Sequence, residues 1–168
     1  MRQSIPAQDL PATQSRLQLG IEDYAAIGDC RSAALVSKHG SIDWLCWPCF
    51  DSPSIFASLV GAENGGNWQI CPATTFTSSR KYVHGANVLQ TTFETSTGTV
   101  RLTDFMPVAE EEFTSGRLSP QRELVRILEG VTGEMEIDMR FDPRPQYGTK
   151  KFDIQDKGKL GLRVDIPA

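Results

Sequence analysis

The regular alternation of apolar and polar residues with a period of two is the feature that most restricts how this chain can fold. The clearest example sets four apolar residues against four charged ones: Met135, Ile137, Met139 and Phe141 against Glu136, Asp138, Arg140 and Asp142. A second example sets Leu89, Thr91 and Phe93 against Val88, Gln90, Thr92 and Glu94. Strands with this pattern place one face on a core and the other in water. The sequence therefore predicts half-buried antiparallel strands.

Short turn signals separate these strands along the chain. They are Lys38-His39-Gly40, Ser96-Thr97-Gly98, Val131-Thr132-Gly133 and Asp156-Lys157-Gly158-Lys159. The first joins two predicted strands at residues 32–37 and 41–46, and Gly40 supplies the positive φ that such a turn requires. Hairpins in series without intervening helices predict an all-β fold, an antiparallel β-sandwich.

One short helix interrupts the predicted strands between residues 51 and 60. Asp51 or Ser52 is suited to cap it, Pro53 to occupy its first position and Gly61 to end it. The last predicted strand contains Leu160, Leu162 and Val164, and no strand that would close the sheet follows it. We therefore expect an incomplete sandwich that self-associates through exposed strand edges or belongs to a longer protein.

Composition limits the classes of partner. The 168 residues suit one domain, with residues 1–20 as a mobile leader and residues 21–168 as the sandwich. Seventeen Lys and Arg against twenty-one Asp and Glu give a net charge of −4, so we expect neither nucleic acid nor membrane as a partner. No apolar run reaches the ~20 residues of a membrane span, and residues 1–6 carry no secretory signal. A cytoplasmic location is expected.

The four cysteines are Cys30, Cys46, Cys49 and Cys71. Cys46-Trp47-Pro48-Cys49 has the spacing of a redox pair or of half a zinc site. A second close pair of ligands is missing from the sequence, so we expect no metal site. Without an export signal, unpaired reduced thiols are expected, and a redox module of Cys46 and Cys49 stays as an alternative.

Several longer stretches carry a family resemblance. They are residues 21–36, 40–48, 50–57 and 66–72, with Asp104-Phe105-Met106-Pro107 and Phe141-Asp142-Pro143-Arg144-Pro145-Gln146-Tyr147-Gly148. Across residues 21–148 the chain resembles the N-terminal domain of bacterial glycoside hydrolase family 15 proteins, the glucoamylase and trehalase-like enzymes. The resemblance implies a β-supersandwich ahead of an (α/α)6 barrel whose two glutamates hydrolyse α-glucosidic bonds with inversion. An inverting pair lies about 6.5–9.5 Å apart, which leaves room for the attacking water.

The resemblance also implies that this chain is a non-catalytic accessory domain, truncated before the barrel. Its partner would be the barrel, with an α-glucoside at their shared rim and no cofactor. The acidic run at residues 110–112 is interpreted as a solvated surface, and so are Glu136 and Asp138 on one strand face. We therefore assign no catalytic residue to this chain.

Three residues of one loop are candidates for the rim of a substrate site: Trp47, Phe50 and Asp51. Aromatic rings stack on sugar C–H surfaces, and a carboxylate accepts hydrogen bonds from hydroxyl groups. In the alternative interpretation, Trp44 and Phe50 are core residues, Asp51 caps the helix and Trp47 packs between domains. Cys49 stands where the resembled family often has a basic residue. A free-standing carbohydrate-binding sandwich is a further alternative function.

Overall fold

The computed structural model describes residues 19–61, 63–108, 123–150 and 152–165. The described residues form twelve strands and two short 3-10 turns, Ile21–Asp23 and Gly158–Leu160. The strands are β1 Tyr24–Gly28, β2 Ala33–Ser37, β3 Ser41–Cys46, β4 Ser54–Phe56, β5 Asn67–Pro72, β6 Thr77–Tyr82, β7 Val88–Glu94, β8 Gly98–Phe105, β9 Val125–Gly133, β10 Ile137–Asp142, β11 Asp153–Asp156 and β12 Leu162–Asp165.

Two antiparallel sheets pack face to face, which confirms the predicted β-sandwich. The first sheet has the order β1-β2-β3-β5-β10, with β4 also paired to β3, and the second has the order β6-β7-β8-β9. Strands β11 and β12 form a separate hairpin, as their alternation predicts. Buried apolar residues from both sheets form the core, among them Ile27, Val36, Ile42, Leu89 and Leu102.

The β2–β3 hairpin forms as predicted, and its turn also contacts both sheets. Gly40 has a φ of 73°, the left-handed conformation that glycine adopts without strain. A Cβ at this position would lie 2.3 Å from the carbonyl oxygen of Ile70 and 2.8 Å from the ring of Phe93. The turn therefore requires glycine for two reasons, its backbone angle and the close approach of β5 and β7.

The helix predicted between residues 51 and 60 is wrong. Ser54 and Phe56 are buried on strand β4, where Phe56 lies opposite Leu45 of β3. The carbonyls of Ser54 and Ile55 accept hydrogen bonds from backbone amides farther along the chain, at 2.9 Å each. Because these backbone groups bond to other segments, they are not available for a helical ladder, and only a turn at residues 57–61 follows.

The turn predicted at residues 131–133 is also wrong, because β9 continues through Gly133. Thr132 lies opposite Thr99 and Gly133 lies opposite Gly98 in the β8–β9 ladder. The amide of Glu134 donates to the carbonyl of Thr97 at 3.3 Å and extends this register by one residue, and β10 begins at Ile137.

Two expectations fall on residues that the structure does not describe. Apart from Leu19 and Gly20, the leader predicted for residues 1–20 lies outside the described residues, and so does the acidic run at residues 110–112. Within the described part of the chain, no helix has the length and apolar character needed to cross a membrane.

A buried arginine on β9 joins the two sheets. The Arg126 side chain is 1% exposed, and its Nε lies 2.9 Å from Oδ1 of Asp104, which is fully buried on β8. Its Nη1 donates to the carbonyl of Trp68 on β5 at 2.6 Å, and its Nη2 donates to the carbonyl of Gly40 in the β2–β3 turn at 2.7 Å. The guanidinium also lies 5.1 Å from the centre of the Trp68 ring. One side chain of the second sheet therefore neutralises a buried carboxylate and holds one backbone carbonyl of the first sheet and one of its β2–β3 turn.

We predict that Arg126→Met lowers the free energy of unfolding by about 3–5 kcal/mol, because it leaves the Asp104 carboxylate buried without its partner. Urea unfolding at neutral pH measures the change. Lys38→Met is the control, because the Lys38–Asp23 ion pair at 2.8 Å lies at the surface and its loss changes stability little. Equal effects of the two substitutions would contradict the structural role of Arg126.

Candidate functional site

The segment at residues 46–52, which we call the aromatic loop, is tied to its surroundings by hydrogen bonds. The amide of Trp47 donates to the carbonyl of Pro53 at 3.3 Å, and the Ser32 hydroxyl donates to the carbonyl of Cys46. Within the loop, the amide of Cys49 donates to Oγ of Ser52 at 3.1 Å. The peptide bond between Trp47 and Pro48 is cis. The loop therefore has a defined backbone at the end of β3.

A tight turn at residues 29–32 supports the aromatic loop from one side. Oδ1 of the buried Asp29 accepts the amides of Arg31 at 2.9 Å and Ser32 at 2.8 Å. Cys30, between them, has a φ of 68°. The carbonyl of Arg31 then accepts the amide of Phe50 at 2.9 Å. This bond holds Phe50 beside a turn that is itself stabilised by a side chain.

The three predicted rim residues divide into one that points inward and two that face solvent. Trp47 is half-buried and packs against the main core cluster. Phe50 is 62% exposed, and Asp51 is exposed beside it. The alternative that places Phe50 in the core and Asp51 on a helix cap is wrong, because Phe50 is exposed and the helix is replaced by β4. A role for Trp47, Phe50 and Asp51 at a substrate rim stays a prediction.

A second aromatic pair lies near the base of this loop and was missed by the sequence reasoning. The amide of Tyr147 donates to Oγ of Ser54 at 3.1 Å, and Ser54 is the β4 residue opposite Cys46. The Tyr147 ring, about half exposed, lies 6.3 Å from the ring of Trp44 on β3. The sequence feature that could have drawn attention to Tyr147 is the pair of prolines before it, Pro143 and Pro145, because they prevent β10 from continuing as a strand.

The buried carboxylates of the described residues are engaged in structural contacts. Asp43 accepts hydrogen bonds from the Tyr24 hydroxyl at 2.9 Å, the Ser41 hydroxyl at 2.5 Å and the Ser58 hydroxyl at 2.9 Å. Burial and the neighbouring Asp43 raise the pKa of Tyr24 well above its usual value, so it stays a neutral donor. Asp104 is paired with Arg126, and burial raises its pKa while the guanidinium opposes that shift. Neither carboxylate is free to act as a general acid or base.

A shallow cavity of about 310 Å³ lies where β1 meets β6. Its polar lining consists of Tyr24, Arg80, Lys81 and Tyr82. The Arg80 guanidinium donates to the carbonyl of Val36 at 3.1 Å and the Tyr82 hydroxyl to the carbonyl of Ala26 at 2.7 Å. The lining contains no carboxylate, so this cavity cannot hold the acid and base pair that glycoside hydrolysis requires.

The cysteines do not have the properties of a reactive dithiol. All four are free, and Cys46 is only 6% exposed. Burial raises the pKa of the Cys46 thiol, and burial together with the Asp138 charge raises that of Cys71 to about 11. Reactive cysteines need the opposite shift, because the thiolate is the nucleophile. Within the described ranges, no group of three or more His, Cys, Asp or Glu residues is arranged to hold a metal ion.

We predict unequal thiol reactivity in the folded protein. Cys30 is exposed and should react quickly with an aromatic disulfide reagent at neutral pH, whereas Cys46 and Cys71 should react slowly. For Cys71, a rise in pKa from 9.0 to about 11 lowers the thiolate fraction about 100-fold. Single Cys→Ser variants assign each phase, and urea-unfolded protein is the control. Fast formation of a Cys46–Cys49 disulfide under mild oxidant would instead support the redox alternative.

Comparisons with known proteins identify the relatives of this chain. Residues 14–166 match a family model described as "Trehalase-like, N-terminal". The chain is 32% identical over 160 residues to a trehalase of Thermoplasma volcanium, an alignment that covers 88% of this chain and 25% of that protein. It is 42% identical over 131 residues to trehalase 1 of Sulfolobus acidocaldarius, covering 77% of this chain and 20% of that protein. No solved structure matches the chain. The chain thus spans a quarter or less of the length of these curated relatives.

Proposed function

The chain belongs to the trehalase-like N-terminal domain family, and from this premise we propose that it is the accessory domain of a glycoside hydrolase. The enzyme would cleave an α-glucosidic bond, with trehalose as the first candidate substrate because the relatives are named trehalases. The catalytic acid and base would lie outside this chain, in an (α/α)6 barrel on which the β-sandwich packs.

The single observation that carries this proposal is the match to a family described as N-terminal, combined with relatives four or more times as long as the matched region. The chemistry of the described residues supports it. Asp43 and Asp104 are already used in hydrogen bonds and an ion pair, and the cavity between β1 and β6 has no carboxylate in its lining. A domain of this kind would stabilise the catalytic barrel and provide a surface beside its active site, while the barrel would cleave the bond.

The aromatic loop is the part of the domain that we propose to form one wall of the substrate site. Phe50 offers an exposed ring and Asp51 offers an exposed acceptor, a combination that suits a sugar with apolar C–H faces and hydroxyl donors. The hydrogen bonds at Arg31 and Pro53 hold the loop in place before a ligand arrives, so little ordering would be needed on binding. Trp47 would act indirectly, by packing the loop onto the core.

We predict that the isolated chain releases no glucose from trehalose or maltose, and that the full-length enzyme carrying this domain does. In that full-length enzyme, Phe50→Ala and Asp51→Ala should each raise KM about tenfold, the loss expected for one apolar or hydrogen-bonding contact. Lys81→Ala on β6 is the control and should leave KM unchanged. Glucose release by the isolated chain would overturn the accessory-domain proposal. Unchanged KM in both loop variants would overturn only the proposed rim.

A free-standing carbohydrate-binding domain is the second candidate function, and the exposure of Phe50 beside Asp51 is the observation that favours it. Calorimetry of the isolated chain with trehalose, maltose and longer α-glucans separates the two functions. Millimolar or tighter binding that is lost in Phe50→Ala would favour the binding domain. Absence of binding by the isolated chain, with activity of the longer enzyme, would favour the accessory domain.

A further inference from the structure

The carboxylate of Asp29 organises the turn that lies beside the aromatic loop. Asp29 is 8% exposed, and its Oδ1 accepts the amide of Arg31 at 2.9 Å and the amide of Ser32 at 2.8 Å. The Asp29 amide donates to the carbonyl of Ser32 at 3.3 Å. All three hydrogen bonds lie within residues 29–32, so they determine the shape of this turn.

The backbone at Cys30 shows why the turn needs a side chain to hold it. Cys30 has a φ of 68°, a left-handed conformation that costs free energy in a residue with a Cβ. The next two amides along the chain are the ones that Asp29 accepts. These two hydrogen bonds offset the strain at Cys30, and without the carboxylate the turn would relax into a different shape.

One peptide group connects the Asp29 carboxylate to the aromatic loop. The Ser32 amide donates to Asp29, and the carbonyl of the same peptide group, that of Arg31, accepts the amide of Phe50 at 2.9 Å. Because this peptide group is planar and trans, holding its amide on one side fixes the direction of its carbonyl on the other. The backbone of Phe50 is therefore positioned by the Asp29 carboxylate.

A second hydrogen bond joins the same turn to the start of the loop. Ser32 is 1% exposed, and its hydroxyl donates to the carbonyl of Cys46. The Ser32 amide is bound to Asp29 at the same time, so this residue is held from both sides. The 29–32 turn thus contacts the loop at its first residue and at its exposed aromatic residue, Phe50.

The turn at residues 49–52, which contains Phe50 and Asp51, is closed by its own hydrogen bonds. The amide of Cys49 donates to Oγ of Ser52 at 3.1 Å, and the Ser52 amide donates to the carbonyl of Cys49 at 3.0 Å. These bonds do not involve Asp29, so this turn should keep its internal shape when the Asp29 carboxylate is removed. What would be lost is the attachment of Phe50 to the 29–32 turn.

We propose that Asp29 is a positioning residue of the substrate site: through the Arg31–Ser32 peptide group, its carboxylate holds Phe50 where the ring contacts the sugar. This inference rests on the proposed function, in which Phe50 lines the rim for an α-glucoside. A loop that is held before binding loses less conformational entropy when the ligand arrives. Without the Asp29 acceptor, that cost falls on binding of the substrate and of the transition state alike, so KM rises and kcat does not change.

Kinetics of the full-length enzyme with trehalose or maltose test the proposal with two substitutions at one position. Asp29→Ala removes the acceptor of both amides and should raise KM about tenfold with an unchanged kcat, the result expected when uniform binding is lost. Asp29→Asn keeps an Oδ1 that accepts both amides, so its KM should stay close to that of the wild type. A raised KM in both variants, or an unchanged KM in both, would overturn the proposal.

Phe50→Ala in both backgrounds separates this proposal from the proposed function. If Asp29 acts through Phe50, Asp29→Ala should have little further effect on KM in a chain that already carries Phe50→Ala. Independent, additive effects of the two substitutions would overturn the role of Asp29 but not the rim. An unchanged KM in Phe50→Ala alone would overturn the rim contact, and this proposal with it.

Amide hydrogen exchange of the same full-length enzyme gives a readout that does not depend on catalysis. The Phe50 amide should exchange about tenfold or more faster in Asp29→Ala than in the wild type, and Asp29→Asn should retain its protection. The Ser52 amide, bound within its own turn, should be unaffected in both variants. Equal protection of the Phe50 amide in the wild type and in Asp29→Ala would rule out the coupling through the peptide group.

Thr95→Ala is the matched control. In the β7–β8 turn, Oγ1 of Thr95 accepts the amide of Thr97 at 3.2 Å, a bond of the same kind from a side chain to the amide two residues on. This turn follows Phe93, which approaches Gly40 at the start of β3, whereas the aromatic loop lies at the end of β3. Thr95→Ala should leave KM unchanged, and a rise equal to that of Asp29→Ala would overturn the proposal.

If Asp29→Ala is too unstable to assay, it is combined with Cys30→Gly and compared with Cys30→Gly alone. Glycine adopts the left-handed conformation without strain, so it restores stability without restoring the acceptor. KM should be about tenfold higher in the double variant than in Cys30→Gly. Equal KM values in the two would overturn the proposal.

Discussion

The contact of Arg126 with both sheets is the interaction on which the rest of the fold depends. A guanidinium carries five donors in a fixed planar geometry, and here four of its contacts reach Asp104 and two backbone carbonyls. Those carbonyls belong to the β2–β3 turn and to β5, so the contact fixes the second sheet against the part of the first sheet where β3 and β5 pair. All of these contacts must form together, because each buried donor or carboxylate oxygen left without a partner would lower the stability of the folded state.

This constraint extends to the surface that we propose as functional. Strand β3 begins at the Gly40 turn, which Arg126 holds, and ends at the aromatic loop. The loop is therefore the far end of a strand that is anchored in the core, and its own hydrogen bonds to the 29–32 turn and to Pro53 complete its support. An exposed phenylalanine on a loop held by these hydrogen bonds can contact a ligand without first becoming ordered. In the part of the chain that the structure describes, the buried carboxylates of Asp29, Asp43 and Asp104 are already engaged in hydrogen bonds or an ion pair.

The strands were predicted well where the sequence alternates with a period of two and shows no helical spacing or turn signal within the same residues. The alternation over residues 88–94 is reproduced as β7, with Leu89, Thr91 and Phe93 buried. The prediction of a helix at residues 51–60 was wrong because the spacing of Ile55, Phe56 and Leu59 covers too short a window to distinguish a helix from a strand. The pairing of Phe56 with Leu45 determined the strand conformation. Likewise Gly133 suggested a turn at residues 131–133, but these residues pair with β8 and strand β9 continues to Gly133.

The sequence by itself determined the class of fold, since period-two alternation and glycine turns leave an antiparallel sandwich as the arrangement that buries the apolar faces. It also pointed to Trp47, Phe50 and Asp51 as one aromatic and acidic segment. Only the tertiary structure decided which of these residues face solvent, because burial depends on what packs against the loop from distant parts of the chain. The same holds for Arg126 and Asp104, which cannot be distinguished in the sequence from charged residues at the surface. Their burial depends on how the two sheets pack against each other, and the local sequence pattern does not contain that information.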